Sequence, residues 1–276
     1  MTARLAREIE IASRLAREAG RILLEVYDTD FEVIEKAADA GPVTIADKRA
    51  NDHVVAALHA AFHGDGVVAE ETKDTSDATR YERCWFVDPL DGTKEFIKHN
   101  GEFAVHIGLA IGGEARLGVV YRPVGDRLYA GVEGAGCFLE TGGTRREVRI
   151  PQAAPESLRL VTSRSHRSKK LETIRAELGI SEVLAMGSVG IKCGVLVEGD
   201  ADLYVHASKV SSRWDSCAPE AVVRAAGGVF TDMAGERYRY DGSELRNLRG
   251  IVACSPAVLE RALPVIQRVG REAGLI

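Results

Sequence analysis

The sequence predicts an α/β protein with helices layered on β-sheet, and three observations carry that. An amphipathic helix occupies the start of the chain, and short strands joined by tight turns follow one another over residues 104–132. From residue 158 onward, strands alternate with helices. The change of rhythm divides the chain into two expected halves. Residues 1–150 would hold helices on a mainly antiparallel sheet and 151–276 an α/β unit, with the boundary at Pro151 to Pro155.

The N-terminal helix is read from residues 3–27, where Leu5, Ile9, Ala12, Ala16, Ala19, Leu23 and Val26 recur at helical spacing. Residues 31–35 alternate like a strand, broken between Asp39 and Pro42. A second helix starts at Thr44, which with Asp47 fits a capping box, and its apolar face includes Ala50, Val54, Ala57 and Ala61. Asp47 therefore has a sufficient explanation as a helix cap. The short apolar run at 67–69 delivers Glu70 and Glu71, and the polar stretch 73–80 reads as a surface loop.

Residues 84–87 read as a buried strand that ends at or near Asp88, because Pro89 and Gly92 break the ladder. Strands follow at 104–111, 116–121 and 127–132, joined as antiparallel neighbours by turns at Gly112-Gly113 and Pro123 to Asp126. The glycine-rich stretch 134–143 is strand-like, its glycines serving turns and bulges rather than a phosphate loop. In the second half, strands at 158–161, 183–186 and 201–206 each lead to a short polar segment and a helix. Those segments contain Ser163-Arg164-Ser165-His166, Gly187-Ser188-Val189-Gly190 ahead of Lys192, and Trp214-Asp215. Strands at 229–231 and 251–254 and a helix at 257–269 complete the chain.

Composition narrows the function classes. The 276 residues are 45% hydrophobic and 28% charged, the balance of a soluble globular protein with material for a core. A formal net charge of −5 gives no electrostatic footing for a nucleic-acid polymer or an anionic membrane surface. Cys84, Cys137, Cys193, Cys217 and Cys254 are widely spaced with no C-x-x-C pair, which favours reduced thiols over disulfides or zinc. No uninterrupted apolar run approaches the length of a membrane span, and the charged amphipathic start does not read as a signal peptide. A cytoplasmic monomer or homodimer is expected.

The chemistry is read from carboxylates at the ends of elements. Asp88 and Asp91 stand where a strand runs out into a turn. That pattern has two explanations. Asp and Gly can do ordinary turn chemistry, or the two repelling charges can hold a cation between them. Asp47, Glu70 and Asp215 also fall near element ends. Oxygen donors with no His or Cys beside them suit a hard cation, Mg²⁺ above all, and the Leu90 carbonyl freed by the turn is a further donor. The Gly92 and Thr93 amides would cradle a phosphate at a helix start. Asp215 taken alone reads as an N-cap with Pro219 in or near the first turn. His106, His166 and His206 read as satisfied structural or surface histidines rather than metal ligands.

Asp88-Pro89-Leu90-Asp91-Gly92-Thr93, preceded by Glu70-Glu71, resembles the first signature of the inositol-monophosphatase superfamily of Mg²⁺-dependent, lithium-sensitive phosphatases. Trp214-Asp215-Ser216-Cys217-Ala218-Pro219-Glu220, followed by Ala225-Ala226-Gly227-Gly228, resembles the second. The correspondence runs over nearly the whole chain and includes Thr44 to Asp47. The resemblance implies an alternating αβαβα sandwich of the inositol-monophosphatase/fructose-bisphosphatase type. It implies two or three Mg²⁺ ions held by Glu70, Asp88, the Leu90 carbonyl, Asp91 and Asp215. Thr93, oriented by Asp47, would take a proton from the attacking water, with Glu70 sharing in catalysis.

Asp91 to Lys98 with Asn100 to Phe103, the segments around Ser163 and Ser188, and Ala207-Ser208 ahead of Trp214 are similar to bacterial 3′(2′),5′-bisphosphate nucleotidases of the CysQ type. The implied substrate is a small bisphosphorylated nucleotide, adenosine 3′,5′-bisphosphate cut to AMP and phosphate, and also its phosphosulfate parent. Gly92 and Thr93 would meet the scissile phosphate, Ser163, His166, Ser188 and Lys192 the second phosphate, ribose and base, and Asp215 would be a further substrate contact. Lys192 would face the non-scissile phosphate; its alternative is a solvated helix lysine. An inositol or broad-specificity sugar-phosphate phosphatase remains open, as does a non-catalytic nucleotide or metal sensor. The intact Thr93 and Asp47 argue against the sensor.

Overall fold

The computed structural model describes residues 5–35, 42–73, 75–164 and 168–276. The chain begins with α1 (Ala6–Tyr27), which buries Ile9, Ala12, Leu15, Ala16, Ala19, Leu23 and Val26 at the helical spacing expected. A small hairpin of β1 (Val33–Glu35) and β2 (Pro42–Thr44) leads into α2 (Ile45–Ala61). The break expected at Asp39 to Pro42 falls, up to residue 41, outside the described residues.

A seven-stranded sheet follows in the order β3-β4-β5-β6-β7-β8-β9. Its strands are β3 (Gly66–Ala69), β4 (Arg83–Asp91), β5 (Ala104–Ile111), β6 (Glu114–Arg122), β7 (Arg127–Val132), β8 (Gly136–Thr141) and β9 (Thr144–Val148). Only β3 and β4 pair parallel; the other neighbours are antiparallel, and from β5 onward they are joined by short turns. Between β4 and β5 lies the short α3 (Thr93–Ile97). β9 is an addition to the expected strands: its exposed run Thr144 to Glu147 lacks the apolar alternation by which a strand is read.

A second, five-stranded sheet has the order β11-β10-β12-β14-β13. It is formed by β10 (Arg159–Ser163), β11 (Glu182–Met186), β12 (Leu203–His206), β13 (Val229–Thr231) and β14 (Ile251–Cys254). β10, β11 and β12 run parallel, which requires crossovers, and α4 (Lys169–Glu177) and α5 (Val189–Glu198) supply them. α6 (Arg213–Ala225), α7 (Pro256–Glu272) and a 3-10 turn at Ser76–Arg80, inside the stretch expected to be a surface loop and burying Thr79, complete the element list.

These elements stack in five layers. α1 and α2 cover one face of the seven-stranded sheet, and α5 and α6 lie between the two sheets. α4 and α7 cover the outer face of the second sheet. Three cores separate the layers, and alternation along β4 shows why: Trp85 and Val87 face α1 and α2, while Cys84 and Phe86 face α6. Each such large apolar side chain contributes about 1.5–3 kcal/mol by leaving water. This is the αβαβα sandwich expected from the resemblance. Among the described residues no helix is long and apolar enough to cross a membrane.

Candidate active site

The site grows from the end of β4. Its pairing with β5 runs regularly to Asp88↔His106 and resumes at Asp91↔Ala104, three steps on one strand against two on the other. The strand therefore does not end at Asp88; a bulge carries it to Asp91. Pro89 is tolerated there because the bulge interrupts the ladder and asks no donor of it. Leu90 N donates to Asp88 Oδ1 at 2.9 Å, fixing that carboxylate. Gly92, at φ 102°, then turns the chain into α3, and a Cβ there would lie 2.8 Å from the Glu102 carbonyl oxygen.

Asp215 reaches the same place because α6 sits unusually close to the sheet. Gly108, Gly118 and Gly131 are in register across β5, β6 and β7. Added Cβ atoms would lie 2.6 Å from Ala218 N, 2.1 Å from Ala218 O and 2.8 Å from Ala225 Cβ, respectively. The glycine stripe is what lets the helix settle. Asp215 is not the N-cap: Ser212 holds that position, and Asp215, three residues on, accepts Ser212 N at Oδ2. An N-cap carboxylate would bond to amides ahead of it, whereas this one folds back.

Asp47 is built alike. Thr44 caps α2, and Asp47 Oδ2 accepts from Thr44 N at 2.8 Å and from Thr44 Oγ1 at 2.6 Å. Its other oxygen, Oδ1, accepts from Thr93 Oγ1 at 3.4 Å, while Thr93 Oγ1 also lies 3.3 Å from the Leu90 carbonyl oxygen. Cap and contact with Thr93 are thus not alternatives; one carboxylate supplies both.

One oxygen each of Asp88, Asp91 and Asp215 lies within 4.8 Å of the others. Burial pushes the Asp88 carboxyl well above the carboxylate range, and the charges of Glu70, Asp91 and Asp215 push it further. Burial likewise raises Asp215, to about 8, with Asp91 and Glu70 adding to the rise. Glu70 and Asp88 are in side-chain hydrogen-bond contact. Acidic groups so placed either share protons or take up a cation, and a donor set of oxygens alone fits a hard divalent ion.

The cluster opens into a cavity of about 210 Å³. Of the residues expected at the site, Glu70, Asp91, Gly92, Thr93 and Asp215 line it. Ser163, Ser188 and Lys192 line the same cavity. Asp47 and Leu90 reach the cavity through Thr93, and Asp88 through the carboxylate cluster. His166 lies outside the described residues. Lys192 is not a solvated lysine. It is 3% exposed, with Nζ 3.3 Å from the Gly187 carbonyl oxygen and 5.4 Å from the Tyr204 ring centroid. Burial lowers its pKa, and Asp91, Glu95 and Asp215 pull the other way.

Several residues at the site escaped the sequence reading. His106 is fully buried rather than superficial, with Nε2 3.2 Å from Asp91 Oδ2 in poor alignment for a hydrogen bond. Its pairing with Asp88 across two strands was the signal, and it needs the register to be seen. Tyr204 is buried in the cavity wall, where its place in an apolar strand concealed it. The five cysteines are all free and buried. Burial raises the Cys193 and Cys217 thiols, which leaves them unreactive.

The sequence model of the Inositol monophosphatase family matches residues 5–271. A 3′(2′),5′-bisphosphate nucleotidase CysQ of Escherichia coli (strain K12) is 37% identical over 234 residues, spanning 84% of this chain and 93% of that protein. A 3′-phosphoadenosine 5′-phosphate phosphatase of Mycobacterium leprae is 32% identical over 261 residues, spanning 94% of this chain and 93% of the other. The crystal structure of CysQ from Bacteroides thetaiotaomicron matches with a TM-score of 0.76 at 33% identity, covering 91% of this chain and 98% of that one.

Proposed function

This chain belongs to the inositol monophosphatase family, and from that premise we propose that it is a Mg²⁺-dependent phosphomonoesterase acting on bisphosphorylated nucleotides. The substrate proposed is adenosine 3′,5′-bisphosphate, cut at the 3′-phosphate to AMP and phosphate, with its phosphosulfate parent as a second substrate. One observation carries the reading: the carboxylates of Asp88, Asp91 and Asp215 converge beside the Asp47–Thr93 pair, with a buried lysine lining the same cavity. The names of the E. coli and M. leprae relatives support the nucleotide as substrate.

Glu70, Asp88, Asp91, Asp215 and the Leu90 carbonyl would hold two or three Mg²⁺ ions. When bound, Mg²⁺ supplies Lewis acidity that lowers the pKa of water and offsets charge on phosphoryl oxygens. The residues of the chain do the rest. Thr93 Oγ1 accepts the proton of the attacking water as its own proton passes toward Asp47 Oδ1, which already lies 3.4 Å away. Asp47 keeps its position during that transfer because Oδ2 is tied to Thr44. The Gly92 and Thr93 amides orient the scissile phosphate. Lys192 presents a buried ammonium to the second phosphate, where low polarity makes a single charge more effective than in water. Ser163 and His166 contribute to ribose and base.

The test is phosphate release from adenosine 3′,5′-bisphosphate, its phosphosulfate parent, inositol 1-phosphate and fructose 1,6-bisphosphate, each with and without lithium. The reading expects the nucleotides to lead by kcat/KM and lithium to inhibit. Preference for inositol 1-phosphate would contradict the substrate while leaving the phosphatase. Lys192→Ala should raise KM for the bisphosphorylated nucleotide by about tenfold or more, the loss of one charge-assisted contact, and change KM for a simple monophosphate far less. Equal effects on both would remove Lys192 from the second phosphate.

A further inference from the structure

We infer that Ser188 is a positioning residue for Asp91, and that the strained entry to α5 exists to aim that carboxylate. This rests on Asp91 being a cation ligand, as proposed above.

Ser188 is one of few non-glycine residues at positive φ, with φ 51° and ψ 135°, a region that side chains disfavour and that persists only where surroundings impose it. Its hydroxyl has one proton, which goes to Asp91 Oδ2 at 2.6 Å. The hydroxyl oxygen accepts from Ile191 N at 3.2 Å, capping α5. Val189 N donates to the same Asp91 oxygen, as does Gly190 N at 3.3 Å. Oδ2 is thereby committed to the helix, and Oδ1 is the oxygen left for the acidic cluster.

The strain is imposed from the preceding residue. Gly187 N donates to Glu102 Oε2 at 2.7 Å, and a Cβ on Gly187 would lie 2.4 Å from the Glu102 carbonyl oxygen. Glu102 is gripped by Arg164, whose Nε reaches Oε2 at 2.8 Å and whose NH2 reaches Oε1 at 2.5 Å. The same NH2 donates to the Ala185 carbonyl at 2.6 Å, tying the grip to the end of β11. Arg164 thus belongs to the support of the site.

The choice of serine is what makes the inference. Glycine accepts positive φ without strain and caps helices almost as well. Stability alone would be served by glycine at 188. Serine adds only the hydroxyl, and its proton is aimed at Asp91.

Calorimetric Mg²⁺ titration of wild type, Ser188→Gly and Ser188→Ala, with melting temperatures of each metal-free protein, tests this. Ser188→Gly should melt at or above wild type yet bind Mg²⁺ about tenfold more weakly, as expected for losing the partner of a ligating carboxylate. Ser188→Ala should lose both, since it keeps the strained φ and drops the cap. Wild-type Mg²⁺ affinity in Ser188→Gly would overturn the inference, as would a raised substrate KM with unchanged Mg²⁺ affinity, which marks a substrate contact. No Mg²⁺ binding by wild type would instead overturn the metal reading on which it stands.

Discussion

At the start of α2, Thr44 N donates to Asp47 Oδ2, and at the start of α6, Ser212 N donates to Asp215 Oδ2. Each aspartate spends one oxygen on its own helix and points the rest of its carboxylate at the site. What surrounds them differs. Asp47 has Thr44 Oγ1 and Thr93 Oγ1 as neighbours, both hydroxyl donors. Asp215 has Asp91, Glu70 and Asp88, all acidic, and burial together with the charges of Asp91 and Glu70 drives it up to about 8. On the function proposed above, the same local device yields a carboxylate that handles a proton and one that holds a cation. The lesson is that capping geometry orients a side chain, while its neighbours from other elements decide its chemistry.

Substitutions can break each side of this comparison. The largest effect is expected at the centre of the cation side. Asp88→Asn should keep the fold and lose several kcal/mol of transition-state stabilisation, about a thousandfold or more in kcat. Steady-state rates in Mg²⁺, with a circular-dichroism melt, check it. On the proton side, Asp47→Ala should lower kcat by about a hundredfold and also lower stability by about 1 kcal/mol through the lost cap. A change in melting temperature with normal turnover would reduce Asp47 to a cap.

Gly118→Ala sharpens the other half. A Cβ 2.1 Å from the Ala218 carbonyl oxygen must lift α6 from the sheet, costing about 1–3 kcal/mol and weakening Mg²⁺ binding because Asp215 moves with the helix. Urea unfolding and Mg²⁺ titration read the two effects. The smallest effect is expected for Thr44→Ala, about 1 kcal/mol of stability with kcat within a few-fold of wild type, since Asp47 Oδ1 still faces Thr93.

Much of this arrangement was legible in the sequence because it is local. Helical spacing located α1 and α2, tight turns between short strand-like runs located β5, β6 and β7, and the strand–helix rhythm located the second sheet. The capping box at Thr44 to Asp47 and the acidic turn at Asp88 to Asp91 could be read as short-range chemistry. The family resemblance then joined Glu70, Asp88, Asp91 and Asp215 into one centre. What stayed hidden depends on register between distant segments. Gly108, Gly118 and Gly131 look like interruptions of three separate strands, and only pairing turns them into a bed for α6. Glycine within an apolar strand is a signal of close approach, but it does not say what approaches. His106 beneath Asp91, and Arg164 gripping Glu102, are likewise contacts between elements remote in the chain. The bulge at Pro89 was hidden for a different reason: proline ends most strands, and it is harmless here only because the ladder is already broken.

The central claim is that the acidic cluster is stable in a charged state only when it holds a divalent cation, and pH-dependent melting with and without Mg²⁺ tests it most directly. Folded Asp215 titrates near 8, whereas an unfolded aspartate titrates near ~3.9. Between those values the folded chain holds a proton that the unfolded chain has released, so metal-free stability is full at the acid end and falls as pH rises toward 8. Asp88, also raised, acts in the same direction. Mg²⁺ should take the proton's place, adding about 2.7 kcal/mol at a hundredfold excess over Kd. The predicted result is a Mg²⁺-induced rise in melting temperature that is small near pH 5 and large near pH 8. A melting temperature that is insensitive to Mg²⁺ at pH 8, or that rises with pH in its absence, would contradict the account.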